Sequence, residues 1–250
     1  MTAVVTGASG GLGRVVALVL AEHGHDVGVH YRGDAAGAAA AVGDVQSAGR
    51  RAVALHADLD VAAAAELDAA CDDLLDRCTA AVGAPDVVVL NAFPQDHLAW
   101  DDLDTAAWDA FHRAGLRPTT ALLHRAGARL GPGGVVVVVG SIEGLRPTPT
   151  HTTYAVAKAA LHHLAAAAAS ELGSRGIRVV ADAPGLVERE GLAQAWPEGV
   201  ERWRTASALG RPVTPREVAE TIAFLASPAA SGITGTTVTI DAGWSAGAGW

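Results

Sequence analysis

The chain has one lysine, Lys158, against 17 arginines, and one asparagine, Asn91. It has two tyrosines, Tyr31 and Tyr154. Alanine fills whole tracts, such as Ala62 to Ala65 and Ala165 to Ala169. That is the mark of a codon bias that turns Lys into Arg, and alanine runs under such a bias mean helix rather than function. A lysine, asparagine or tyrosine that survives it is the first place to look for chemistry. Basic charge is also short: 18 Lys plus Arg against 27 Asp plus Glu leave a net charge of −9. No basic footprint is offered to nucleic acid or to an anionic membrane. The apolar run Val135 to Val139 falls far below the roughly 20 residues a membrane helix needs. Only two cysteines occur, Cys71 and Cys78, and the expectation is two reduced thiols in a cytoplasmic protein. The opening MTAVVTGASGG enters a strand-like run at once, so no leader peptide is expected. The histidine pairs His23/His25 and His162/His163 lack a Cys or carboxylate at ligand spacing, and no metal site is expected.

What is present is apolar and periodic. Half of the 250 residues are hydrophobic, enough for a large core and too many for disorder. Short β-branched runs at 3–6, 27–30, 52–56, 86–90, 135–139, 178–182 and 236–240 alternate with helical stretches at 11–23, 36–48, 61–81, 104–130, 151–173 and 215–226. Gly24, Gly49, Gly83 and Gly176 fall where helix stops belong. The alternation predicts an α/β fold, a doubly wound (Rossmann) parallel sheet of about seven strands with helices on both faces. One domain, 1–250, is expected, with no linker and no repeat. The stretch 186–210 carries Trp196, Pro197 and Trp203 without a strand pattern. It is read as a lid over the ligand crevice. Trp244 and Trp250, in the glycine-rich tail, are candidate interface anchors.

Two motifs carry chemistry. Thr6 to Gly13 reads TGASGGLG between the first strand and the first helix. Gly7, Ser9, Gly11, Leu12 and Gly13 there allow a tight turn and close approach to a pyrophosphate on the helix N-terminus. No Lys-Ser/Thr follows, which excludes a P-loop. The second motif is Tyr154-x-x-x-Lys158, whose side chains emerge on one helix face. The ammonium beside the phenol is expected to lower its pKa for acid/base work. Ser141, just past the fifth strand, could hold a substrate oxygen beside that phenol.

With these residues the chain resembles the short-chain dehydrogenase/reductase family, in its single-domain group. The similarity runs nearly end to end. It takes in Thr6 to Gly13, Asp58-Leu59, Asn91-Ala92, Ser141, Tyr154, Lys158, Pro184-Gly185, Leu209 to Pro212, Ile233 to Gly235 and Asp241 to Gly243. The stretch Trp196 to Arg204, with His30-Tyr31-Arg32, is similar to pteridine-reductase-like and carbonyl-reductase members. The resemblance implies an oxidoreductase that reduces a small-molecule carbonyl or oxidises the alcohol. Tyr154 would transfer the proton and Ser141 would polarise the carbonyl. Lys158 would hold the nicotinamide ribose. Asp58 and Leu59 would meet the adenine, Asn91 would brace the cofactor, and Pro184, Gly185 and Val187 would contact the nicotinamide. It also implies a homodimer or homotetramer, with the helices near 104–130 and 151–173 at the contact.

The cofactor choice follows from charge. Where an NAD enzyme offers a carboxylate to the ribose, this chain has Tyr31 and then Arg32, a partner for a 2′-phosphate. NADP is therefore expected ahead of NAD, with a solvated surface arginine as the other reading. Three positions depart from the family: Gly115 replaces its catalytic asparagine, Phe93 follows Asn91-Ala92, and Arg189 replaces a threonine. They predict a slow enzyme with a kink or a water-filled gap at Gly115, improved by Gly115→Asn. They also keep open an alternative, a cofactor-binding relative with little or no catalysis that serves as a structural or ligand-binding subunit.

Overall fold

The computed structural model describes residues 1–95 and 98–247. Seven strands form one parallel sheet: β1 (Thr2–Val5), β2 (Asp26–Tyr31), β3 (Ala52–His56), β4 (Val87–Leu90), β5 (Val135–Val139), β6 (Arg178–Pro184) and β7 (Thr237–Ile240). Their order is β3-β2-β1-β4-β5-β6-β7. The helices that connect them are α1 (Gly11–Glu22), α2 (Ala35–Ser47), α3 (Ala64–Val82), α4 (Thr105–Ala114), α5 (Leu116–Arg129) and α6 (Thr152–Leu172). They are followed by α7 (Leu192–Ala195), α8 (Pro197–Ala206) and α9 (Pro215–Ala226). All seven strands expected from the sequence are present. The central β4 and β5 are continuous valine-rich runs because helices cover both faces, and every position of both is buried.

Two apolar layers sandwich the sheet. On one face α1, α2 and α9 pack Val16, Leu20, Val45 and Ile222 against Val5, Val89 and Val137. On the other, α3, α5 and α6 pack Leu74, Leu122 and Leu161 against Val4, Val88 and Val138. Cys71 and Cys78 are free thiols in this second layer, where burial pushes both pKa values up to about 12. The strand order reverses between β1 and β4, which opens a crevice at the carboxyl ends of the strands. Among the described residues no helix is long and apolar enough to cross a membrane.

Three details go beyond the sequence reading. The helix expected over 104–130 is two, because Gly115 adopts φ −120°, ψ −76° between α4 and α5. The signal was there: Pro118, three residues on, cannot supply the amide that a continuous helix would bond to Ala114. The stretch 186–210 contains α7 and α8, and it is pinned at its ends by a parallel bridge between Val187 and Val213. Trp244, a candidate interface anchor, has a partner within the chain. Its ring stacks within the chain on Trp203, at 5.1 Å and 4°. Trp250 lies outside the described residues.

Candidate active site

The glycine loop is built by close approach. Gly7 and Gly11 have φ +64° and +51°, values that disfavour a side chain. A Cβ on Gly13 would fall 2.3 Å from the Gly7 carbonyl oxygen and 2.6 Å from Asn91 Nδ2, so only glycine lets α1 begin so near β1 and β4. The α1 N-terminus has Gly10 as its N-cap and no capping side chain. Its first amides and the positive end of its dipole are left to an anion. Space for a side chain is open at Gly10 and Gly11. These features fit the pyrophosphate of a dinucleotide.

Asn91 and Thr6 lock the two halves of the crevice together. The Asn91 and Ala92 amides donate to Thr6 Oγ1 at 2.8 and 2.9 Å, and Asn91 Nδ2 donates to the carbonyls of Thr6 (2.9 Å) and Gly7 (3.3 Å). His30, which the sequence did not single out for this role, supports the loop from β2. The Gly7 amide donates to its Nδ1 at 3.1 Å, while Nε2 lies 3.1 Å from the Ala57 carbonyl. The ring is buried, which pushes its pKa down to about 4.

Around the glycine loop and the end of β3, Ser9 and Leu12 are half-buried, Asp58 is exposed and Leu59 is buried. Asp58 accepts from the Asp60 amide at 2.9 Å. The Arg32 side chain is exposed and only loosely paired, 3.9 Å from Asp60, whose carboxylate is engaged at 2.8 Å by Arg113. Asp34, four residues beyond His30, caps α2 by accepting from the Gly37 amide.

Ser141, Tyr154 and Lys158 come together at the carboxyl end of β5. Ser141 and Lys158 are 8 % and 2 % exposed, and Tyr154 is half-buried. Lys158 Nζ donates to the Val139 carbonyl at 2.8 Å and lies 5.4 Å from the centre of the Tyr154 ring. The phenol pKa is pushed up to about 12: burial raises it most, the Ser141 hydroxyl opposes, and the charges of Glu143 and Asp182 add to the rise. This corrects the expectation of a lowered value. Burial instead pushes the Lys158 pKa down. Beside this group Glu143 holds His151 Nδ1 at 2.7 Å, and the His151 and Tyr154 rings meet edge-on at 6.4 Å.

The gap expected at Gly115 is filled. A Cβ there would lie 2.6 Å from Phe93 Cζ, so Phe93 occupies the room that an asparagine side chain would need. Asp182 on β6 went unnoticed in the sequence. It is 0 % exposed, with no partner on either carboxylate oxygen among the described residues, and burial pushes its pKa up. A charge inside the apolar run Val179 to Ala183 was the signal. Pro184 is buried, and Gly185 is half-buried beneath Trp203 of α8, whose Cζ2 would be 2.7 Å from a Cβ on that glycine. Arg189 is exposed.

Comparison with known proteins then decides the family. A family model described as enoyl-(acyl carrier protein) reductase matches residues 7–245. The 3-oxoacyl-(acyl-carrier-protein) reductase of Staphylococcus aureus is 35% identical over 97% of both chains. The chain belongs to the short-chain dehydrogenase/reductase family. The cis-4-hydroxycyclohexanecarboxylate dehydrogenase of Sinomonas cyclohexanicum is 36% identical over 98% of this chain and 96% of its own. A short-chain dehydrogenase of Burkholderia cenocepacia, solved in complex with NADP, superposes with a TM-score of 0.86 at 32% identity, over 97% of each chain. As a member of the short-chain dehydrogenase/reductase family, the chain is an oxidoreductase in class.

Proposed function

We propose that this short-chain dehydrogenase/reductase is an NADP-dependent reductase of a small-molecule carbonyl, with Tyr154 as the general acid. The observation that carries the reading is the meeting of the Ser141 hydroxyl with a phenol held protonated by burial, beside Lys158. With its pKa pushed up to about 12, the phenol carries at neutral pH the proton an acid must give, and the nearby Lys158 is the group that would ease its release. When bound, NADPH supplies the hydride to the carbonyl carbon. Ser141 donates a hydrogen bond to the carbonyl oxygen and fixes it in place. Tyr154 Oη passes its proton to that oxygen, and the product is the alcohol. Lys158, the charged neighbour of the phenol, holds the ribose and stabilises the phenolate left behind.

Gly7, Ser9, Gly11, Leu12 and Gly13 would cradle the pyrophosphate, with Asn91 bracing the loop. Asp58 and Leu59 would meet the adenine, and Pro184, Gly185 and Val187 the nicotinamide. The exposed and loosely paired Arg32 suits a 2′-phosphate, and the NADP complex of the Burkholderia neighbour supports NADP over NAD. The chain is read as one domain in which α7 and α8 form a lid, supported by Trp203 resting on Gly185. The reading extends to a cytoplasmic homodimer or homotetramer. A second reading, a cofactor-binding relative with little turnover, draws on Phe93 filling the space beside Gly115.

Tyr154→Phe separates the two. Under the first reading it abolishes NADPH oxidation with any carbonyl that the unaltered protein reduces, while NADPH still quenches tryptophan fluorescence with nearly unchanged affinity. Full activity in Tyr154→Phe would refute the assigned acid. Cofactor binding by the unaltered protein without turnover of ketones, aldehydes, quinones or pterins would favour the second reading.

A further inference from the structure

Lys158 is the chain's one lysine; the residue is 2 % exposed, and among the described residues its ammonium makes one hydrogen bond, to the Val139 carbonyl. An ammonium has three donors, and the carboxylate whose charge acts on it, Asp182, makes no hydrogen bond to it. Its second neighbour is aromatic: the centre of the Phe93 ring lies 4.0 Å from Nζ. Three further residues hold that half-buried ring. Phe111 of α4 and Tyr154 of α6 meet it edge-on at 5.8 and 5.9 Å. Gly115 lies so close that a Cβ there would be 2.6, 2.9 and 3.0 Å from Phe93 Cζ, Cε2 and Cε1. The break between α4 and α5 therefore has a second use, since a residue with any side chain at 115 would push the ring off the ammonium.

We propose that Phe93 is the positioning residue of Lys158, its ring face seated over the ammonium through the notch at Gly115, so that an aromatic contact does the work of a polar one. A cation over a ring face is stabilised by the ring quadrupole, most strongly where water is excluded. The contact fixes Nζ beside Tyr154 and dries that side of it. What Lys158 serves once placed rests on the reductase reading, but the placement itself does not. The titratable groups facing Lys158 are Asp182 from β6 and Tyr154 and His162 from α6. Phe93 faces it from the loop after β4.

A unique lysine makes the test direct. The full chain, labelled with carbon-13 at lysine Cε and free of cofactor, should give one side-chain signal. The Lys158 ε-protons should be displaced upfield by the ring current of Phe93, and the amine should titrate below the ordinary lysine range. Phe93→Leu, which keeps an apolar residue there, should remove the displacement and lower the amine pKa by a further half to one and a half units, roughly the worth of a buried cation–π contact. Gly115→Ala should lose the same displacement because the ring is pushed aside, and near-UV circular dichroism checks that both variants are folded. If Gly115→Ala fails to fold, Phe93→Leu alone decides. An ordinary lysine shift in the unaltered protein, or an unchanged signal and pKa in Phe93→Leu, overturns the proposal. Failure of the reductase reading would show only in turnover.

Discussion

His30 illustrates how much one buried side chain decides here. To accept from the Gly7 amide at Nδ1 and donate to the Ala57 carbonyl from Nε2, the ring must be neutral with its proton on Nε2. Its folded pKa of about 4 lies below the roughly 6.5 of an unfolded histidine. The stability it contributes is therefore present above about pH 6.5 and is lost as pH falls toward 4. Thermal melts should show the unaltered protein losing Tm more steeply over that window than His30→Gln, which has no titrating ring. Parallel curves would remove His30 from the support of the glycine loop. Tyr154 and Lys158 were legible in the sequence because they stand out against the codon bias at i, i+4 spacing, and Ser141 because it stands just past a strand end. His30 was not, since the face it turns to depends on pairing with β1 and β3 far along the chain. Phe93 and Gly115 were each visible as oddities. That they touch was not, because nothing local joins residue 93 to residue 115.

Among the elements, α9 shows how a helix start is tied to the segment before it. Thr214 Oγ1 accepts from the Glu217 amide while Glu217 Oε2 accepts from the Thr214 amide. Arg211 grips both carboxylate oxygens of Glu217, and together these hold the Glu217 pKa down to about 2. Thr214→Ala should cost about 1 kcal/mol, read as a lower denaturation midpoint at unchanged m-value. No loss would mean that the arginine grip alone sets the helix start. Strands were legible to within two residues at their ends because short β-branched runs between glycines and helical stretches have few other places to go. A kink at Gly115 was legible from the glycine; that it divides α4 from α5 outright was not, because the division also needs the missing amide of Pro118.

For the molecule as a whole, the open question is how many copies assemble. Val156 on α6 and Trp108 on α4 are exposed apolar side chains; of the α6 alanines expected at a contact, Ala155, Ala157, Ala165, Ala168 and Ala169 are buried within the chain, and Ala159 and Ala167 stay exposed. Light scattering at micromolar concentration should return two or four times the 25.2 kDa chain mass. A monomer mass would contradict the assembly. The order of the sheet has a further effect, on the time course of synthesis. Helix α1 is buried chiefly against α9, yet the two are separated by about 200 residues of chain. At roughly 5–20 residues per second, the apolar stripe of Val16, Val19 and Leu20 waits on the order of 10 to 40 seconds for its cover to be made. Until then the newborn amino-terminal half carries an open greasy surface, and overexpression should profit from slower initiation or more holdase chaperone.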